Sequence, residues 1–447
     1  MPAEFRVPIE RFTLSNGLRV ILSPDHATPV ATVYVIYGVG ARVEERGRTG
    51  FAHLFEHMMF QGSKNAPKGM HFKLIEANGG ALNGSTHPDY TDYFEVLPSN
   101  KLAVGLWLEA DRMRGLQVNR ANLENQRDTV KQERRLAFDN RPYAMAIVER
   151  WPELAFGNWH NSHSIIGSFE DLDAATVAEV RRFFRTYYAP NNAALVVAGD
   201  LRPDETRRLV EAYFGDIPAQ ALPPPPDLAE PPQKAPRAAV HRDPLAQVPA
   251  VVVGYPGPAR RTPDYYALIM LDIVLTGGES SRFHQRLVKG RKSVIQYEAN
   301  LGWPFAGPAD YKDPGLYAVF LLHKPAFRSG QIVEHVEEEI RAIVRAGLRR
   351  RELARARAFL RSNRVRQLQS SRNRAAALGQ YELLDGNPDY LNTELEVFLA
   401  VTPDQIQQAA REWLAPERRS VLEIVPGNIP RRDRVPPGRE AAQARTS

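Results

Sequence analysis

The chain has 447 residues, a formal net charge of +6, 43% hydrophobic and 25% charged residues, and no cysteine. That length allows two or more domains with large cores, and the composition is ordinary for soluble globular proteins rather than disordered or fibrous ones. The lack of cysteine excludes disulfides and thiolate metal sites, leaving His, Asp and Glu as the strong ligands. No run of about 18 apolar residues spans a membrane, and Met1–Arg6 carries no signal-type apolar stretch, so a cytoplasmic or periplasmic protein is expected.

In chain order, Arg6–Leu14 and Gly17–Ser23 alternate apolar and polar residues around Asn16-Gly17, a hairpin signal. Ala31–Tyr37 reads as a third strand and feeds a glycine-rich loop. The next stretch, Phe51–Phe60, reads as a short helix, with Thr49 as N-cap and Gly62 as C-terminal stop. At about 100° per residue, His57 lies about 40° from His53 and Glu56 about 60° to the other side, with Phe60 at about 20°. Two imidazoles and a carboxylate therefore share one face, while Phe51, Leu54, Phe55, Met58 and Met59 cover the other. Ionisable groups crowded on an apolar helix are costly unless something satisfies them. A divalent metal does so, because histidines four apart can face one zinc ion, and a glutamate beside them can take a proton from water at that ion. The plainer alternative is two surface histidines and a solvated glutamate. The Phe and Met flanks argue against it.

Beyond this helix, Phe72–Ala77 reads as helical, Ala81–Ser85 and Tyr90–Val96 as strands, and Leu102–Arg114, Ala121–Phe138 and Ala144–Leu154 as helices. A third ligand is needed, and Glu124 and Glu133 on Ala121–Phe138 are the candidates. Glu133 lies nearer the apolar stripe of Leu123, Val130 and Leu136. An ordinary ion pair with Lys131, Arg134 or Arg135 is the competing role for it. Ala174–Tyr187 is an amphipathic helix, Asn192–Ala198 a buried strand, and Arg207–Phe214 a closing helix.

Eight prolines in Asp216–Pro236, four of them consecutive, mark a semi-rigid linker. The plan then restarts: strand Ala250–Tyr255, helix Tyr265–Leu275, strand Gly315–Leu322, helices Ile332–Ala346, Glu352–Gln369 and Pro403–Leu414, and strand Val421–Val425. Two similar halves suggest internal duplication, and the second lacks the His-x-x-Glu-His pattern. The arginine-rich stretch 341–374 has almost no aromatics, so a solvated helix pair or a wall for acidic peptides is expected there, not a nucleic-acid face. His160 and His163, with no carboxylate between them, are expected to be structural.

The stretch His53-Leu-Phe-Glu56-His57-Met-Met-Phe60-Gln-Gly62 resembles the signature of the pitrilysin/insulinase/mitochondrial-processing-peptidase family of inverted zinc peptidases. Supporting stretches are Leu14–Val20, Gly79–Thr86, Asn140–Pro142 and Tyr188–Asp200, and the resemblance covers essentially the whole chain. In that family a glutamate follows the second histidine by roughly 76 positions, which falls on Glu133. The resemblance implies an α+β fold of two homologous αβ-sandwich halves, each a mixed, mainly antiparallel sheet flanked by helices, in a bilobal clamshell. The halves would be 1–216 and 241–447, joined by linker 217–240. It further implies one zinc ion per chain held by His53, His57 and Glu133, with Glu56 as general base. Phe60 would be the wall of a hydrophobic pocket, and Ala81 and Asn83 would lie on an edge strand that pairs with substrate. Core packing for Phe60 and loop capping for Asn83 are the competing roles.

One departure stands out. Family members place an arginine and a tyrosine, seven apart, in a second half, where they hold the substrate carbonyl. Here those positions are Val288 and Ile295. A related subunit supplying the pair, in a heterodimer or heterotetramer, is therefore expected. The expected function is a zinc endopeptidase acting on unfolded peptides in a chamber formed with that subunit. The alternatives are a non-catalytic scaffold and a peptide binder with structural zinc.

Overall fold

The tight turn at Asn16-Gly17 forms as its residue types require, with Gly17 at φ 87°. It joins the first two strands of a six-stranded sheet. In the computed structural model, which describes residues 6–312 and 314–427, that sheet comprises β1 (Glu10–Thr13), β2 (Arg19–Pro24), β3 (Val30–Tyr37), β4 (Ala81–Thr86), β5 (Thr91–Pro98) and β6 (Ala193–Gly199). Their order is β1-β2-β6-β3-β5-β4. A second sheet comprises β7 (Arg237–Asp243), β8 (Ala250–Pro256), β9 (Val294–Leu301), β10 (Leu316–His323) and β11 (Ser420–Pro426), in the order β7-β11-β8-β10-β9.

The two sheets repeat one topology. β2 and β6 pair in parallel, as do β7 and β11, and the other pairings are antiparallel. Strands β2, β6, β3, β5 and β4 thus correspond to β7, β11, β8, β10 and β9. This is the α+β architecture of two mixed, mainly antiparallel sheets with flanking helices. Strand β7 occupies residues 237–243, so the irregular connection ends before the expected linker does. That connection is also docked. Glu230 accepts hydrogen bonds from Gly157 N (2.6 Å) and Asn161 Nδ2 (2.7 Å).

Each sheet packs one face on helices of its own half and the other on helices of the opposite half. On the first sheet, Val33, Val35 and Leu195 meet Leu54, Leu106 and Val180 on one side. Tyr34, Ile36 and Val196 meet Ala375, Leu378 and Tyr381 of helix Ser371–Asp385 on the other. Reciprocally, Val252, Ala318 and Ile424 of the second sheet receive Ala146, Trp151 and Ala155 from the first half. Both seats depend on glycine. A Cβ at Gly379 would meet the Tyr34 ring at 2.7 Å, and one at Gly254 would meet Trp151 at 2.5 Å.

The second core hides one carboxyl. Asp272, on helix Pro263–Thr276, accepts from Thr276 Oγ1 (2.9 Å) and Tyr317 Oη (3.1 Å), and burial raises its pKa to about 7. A carboxyl raised on folding keeps its proton in the native state. It contributes no penalty below its unfolded pKa of about 4 and a growing one as pH climbs to about 7. Asp272→Asn is therefore expected to flatten the decline in stability over this range. In urea titrations it should gain about 2 kcal/mol on the wild type between pH 5 and pH 8. An unchanged difference between the two pH values would contradict this.

Candidate metal centre

Helix Phe51–Met58 follows β3 and packs Phe51, Leu54, Phe55 and Met58 into the first core. It is two residues shorter than expected, with Phe60 in the turn beyond it, and Gly62 has φ 102°. The N-cap is also different. Gly50, at φ 81°, occupies that position, while the Thr49 hydroxyl donates to Asp171 (2.5 Å). A side chain at Gly50 is excluded because the backbone of Ile166 and Gly167 passes within 2.7–2.8 Å of where its Cβ would lie.

Glu133 belongs to helix Arg120–Arg134, which lies against the motif helix. Its Oε2 is 3.3 Å from His57 Nε2 and 3.7 Å from His53 Nε2. The competing ion pairs are taken elsewhere: Lys131 binds Asp173, and Arg134 binds Glu149. Glu124 pairs with Arg120 on the surface (2.7 Å) and takes no part. One ligand atom from each of His53, His57 and Glu133 lies within 4.8 Å of the others. Donors bound tetrahedrally at about 2.0–2.1 Å from one zinc ion sit about 3.3 Å apart, so the cluster fits the ion with little movement.

The electrostatics are those of ionisable groups crowded at a partly buried site. Burial, then the neighbouring His57, lowers His53 to about 4, keeping it neutral at physiological pH. Burial also depresses His57, but its bond with Glu133 and the charge of Glu56 outweigh this and carry it upward. The Glu133 carboxylate is held below its ordinary range chiefly by His57. Glu56 reaches about 7 through burial, opposed by a hydrogen bond from Thr86 Oγ1 (2.6 Å). Two partners escaped the sequence reading. Thr86, at the end of β4, orients Glu56, and Gln126, buried two turns before Glu133 on the same helix face, helps to carry the pKa of His57 upward. Position seven before Glu133 on one helix was the available signal for Gln126.

Phe60 is half-buried in an aromatic group with Phe72 (5.1 Å), Tyr93 (5.7 Å) and His71 (5.9 Å), and the Arg112 guanidinium lies 5.1 Å from its ring centre. Behind it, His71, Glu95 and Glu109 also converge, but Arg112 already binds Glu109, so that cluster is neutralised internally. Among the described residues, strand β4 pairs only with β5 and its other edge is open, with Ala81 and Asn83 exposed. His160 and His163 belong to no metal-capable cluster of three among the described residues: His160 bonds the Arg42 carbonyl, and His163 bonds two backbone carbonyls and the Glu44 carboxylate.

In the second half, Val288 is half-buried and Ile295 is 46% exposed on β9. Tyr297 points inward, its hydroxyl on Ser281 (2.9 Å), and Arg291 pairs with Glu338. These residues form no arginine–tyrosine pair.

A duplicated sheet-and-helix framework bearing one His-His-Glu cluster with a second glutamate beside it defines the class: a two-domain protein with a metal-capable centre in its first half. Comparison with known proteins places it more closely. The family model for insulinase (peptidase family M16) matches residues 19–167, and that for the peptidase M16 inactive domain matches residues 174–360. The chain belongs to peptidase family M16, the pitrilysin-type peptidases. It is 27% identical over 423 residues to the zinc protease PqqE of Helicobacter pylori, covering 93% of each chain. It is also 23% identical over 384 residues to a probable mitochondrial-processing peptidase subunit beta of Schizosaccharomyces pombe, covering 84% of this chain and 82% of that one. Among solved structures, a protease from Helicobacter pylori superposes with a TM-score of 0.88 at 26% identity, over 94% of this chain and all of the other. A peptidase M16 inactive domain from Pseudomonas fluorescens shares the fold, with a TM-score of 0.79 at 17% identity over 94% and 98% of the two chains.

Proposed function

We propose that this protein is a zinc-dependent endopeptidase of unfolded peptides, acting in a chamber formed with a related second subunit. The observation that carries the proposal is the convergence of His53, His57 and Glu133, with no arginine or lysine among the described residues paired to them and Glu56 one turn away. The relatives named as zinc proteases support it. Zinc held by the three ligands would supply a Lewis acid and lower the pKa of water in its open position. Glu56 takes the proton from the attacking water and passes it to the leaving amine. Thr86 holds the Glu56 carboxylate in line for both transfers. The open edge of β4, at Ala81 and Asn83, pairs with the peptide backbone and so accepts many sequences. Phe60 forms the apolar wall next to the scissile bond.

Transition-state charge on the carbonyl oxygen needs donors. With Val288 and Ile295 at the expected arginine and tyrosine positions, we assign those donors to the partner. A scaffold role is disfavoured, because such a role gives no use to a partly buried cluster of unneutralised ligands.

The test is digestion of an unfolded peptide by the purified chain, alone and with its co-purified partner, each with and without a zinc chelator. Cleavage that requires the partner and stops with the chelator is expected. Full activity of the chain alone would overturn the partner assignment, and no cleavage by the complex would overturn the peptidase reading. No helix among the described residues is long and apolar enough to cross a membrane.

A further inference from the structure

The motif helix begins at a glycine, so no side chain at its own N-cap satisfies the first backbone N–H groups. Glu44, six residues earlier and 2% exposed, does this from outside the helix. Its Oε2 accepts from Gly50 N (2.9 Å) and its Oε1 from Ala52 N (2.8 Å). The negative carboxylate also lies at the positive end of the helix dipole.

Glu44 is itself held. His163 Nε2 lies 3.0 Å from Glu44 Oε2 and 2.9 Å from Ala41 O, and His163 Nδ1 lies 3.0 Å from Trp159 O. Every neighbour of the ring nitrogens is an acceptor, so both nitrogens carry protons and the ring is a cation paired with Glu44. The indole of Trp159 stacks on the imidazole at 4.2 Å and 12°, with the Arg46 guanidinium 5.0 Å from the indole centre. The short helix carrying Trp159 is tied through Asn161 and Gly157 to Glu230 in the interdomain connection.

We propose that Glu44 and His163 form a buried brace that sets the height and rotation of helix Phe51–Met58, and with it the placing of His53, Glu56 and His57. Both are positioning residues, since neither reaches the cluster. A buried ion pair adds little net stability but costs heavily when one partner is removed, so the pair acts as a locator. This inference rests on the peptidase reading only for its activity readout.

The test compares His163→Phe, which keeps the stack on Trp159 but removes both donors, with His163→Gln, which restores a donor to Glu44. Three measurements are made on zinc-loaded full-length protein: transfer of zinc to a chelator, hydrogen exchange of the amides at 50–55, and kcat with KM. His163→Phe should release zinc at least 10-fold faster, lose amide protection at 50–55, and lower kcat about 10-fold with KM within 2-fold. His163→Gln should recover zinc retention to within 3-fold of the wild type. Wild-type zinc release and protection in His163→Phe, or equal damage in His163→Gln, would overturn the proposal. If His163→Phe does not fold, Glu44→Asp, which keeps the charge but draws it back from the helix, carries the same three measurements. Wild-type zinc release in that variant is equally fatal. If the wild type holds zinc but cleaves no peptide, the peptidase reading fails while zinc release and exchange still judge the brace.

Discussion

Replacing Glu56 with Gln is expected to lower peptide hydrolysis by about 10²- to 10⁴-fold, the range that a positioned general base contributes, while zinc content stays at the wild-type level. The expectation follows from placement. Glu56 shares the helix face of the two histidines, burial lifts its carboxyl to about 7, and Thr86 fixes one oxygen at 2.6 Å. Glutamine preserves volume and still accepts from Thr86, so the fold and the ligand cluster are undisturbed and only the proton acceptor is lost. Metal analysis beside a peptide assay reads both halves of the statement. If zinc were purely structural, the variant would cleave, or fail to cleave, as the wild type does.

Removing Glu133 has the larger effect on the metal. Glu133→Ala leaves two imidazoles, one of them lowered to about 4 by burial and its neighbour, without the carboxylate that pulls them together. Zinc affinity should fall by more than about 100-fold, beyond what loss of an outer hydrogen-bond partner costs, and hydrolysis should become undetectable. The thermal midpoint in added zinc should fall as well, because a ligand bound only by the native state stabilises by mass action. Glu124→Ala, on the same helix, is the matched control. It breaks a solvent-exposed pair with Arg120, and such pairs contribute little to stability. Equal zinc affinity in the two variants would place the third ligand elsewhere.

The two carboxylates illustrate how far a linear reading reaches. Both lie on one amphipathic helix, and spacing favoured Glu133 only through its nearness to the apolar stripe. Its rival role as an ion-pair partner is closed only by the fold, in which Lys131 and Arg134 bind Asp173 and Glu149. The helix N-cap shows the same limit from the other side. Thr49 has the right chemistry at the right place, but its hydroxyl is taken by Asp171, and the capping falls to Glu44, six residues before the N-cap and held by His163 from a distant segment. Strand β9 and helices Ser371–Asp385 and Tyr390–Ala400 were missed for a related reason. Ser371–Asp385 presents Ala375, Leu378, Gly379 and Tyr381 to the opposite half, and its glycine, a poor helix former, is there to admit Tyr34.

What the sequence alone determined is local and periodic. Two histidines and a glutamate fall on one turn-repeated face, strands alternate or run apolar, and proline breaks the chain in two, because 3.6- and 2-residue periods are written directly in residue order. The tertiary structure decided what depends on distance through space: which acid completes the cluster, which carboxylate caps the motif helix, and which half covers each sheet. Those outcomes turn on competition among many chemically equivalent partners, and only packing selects one.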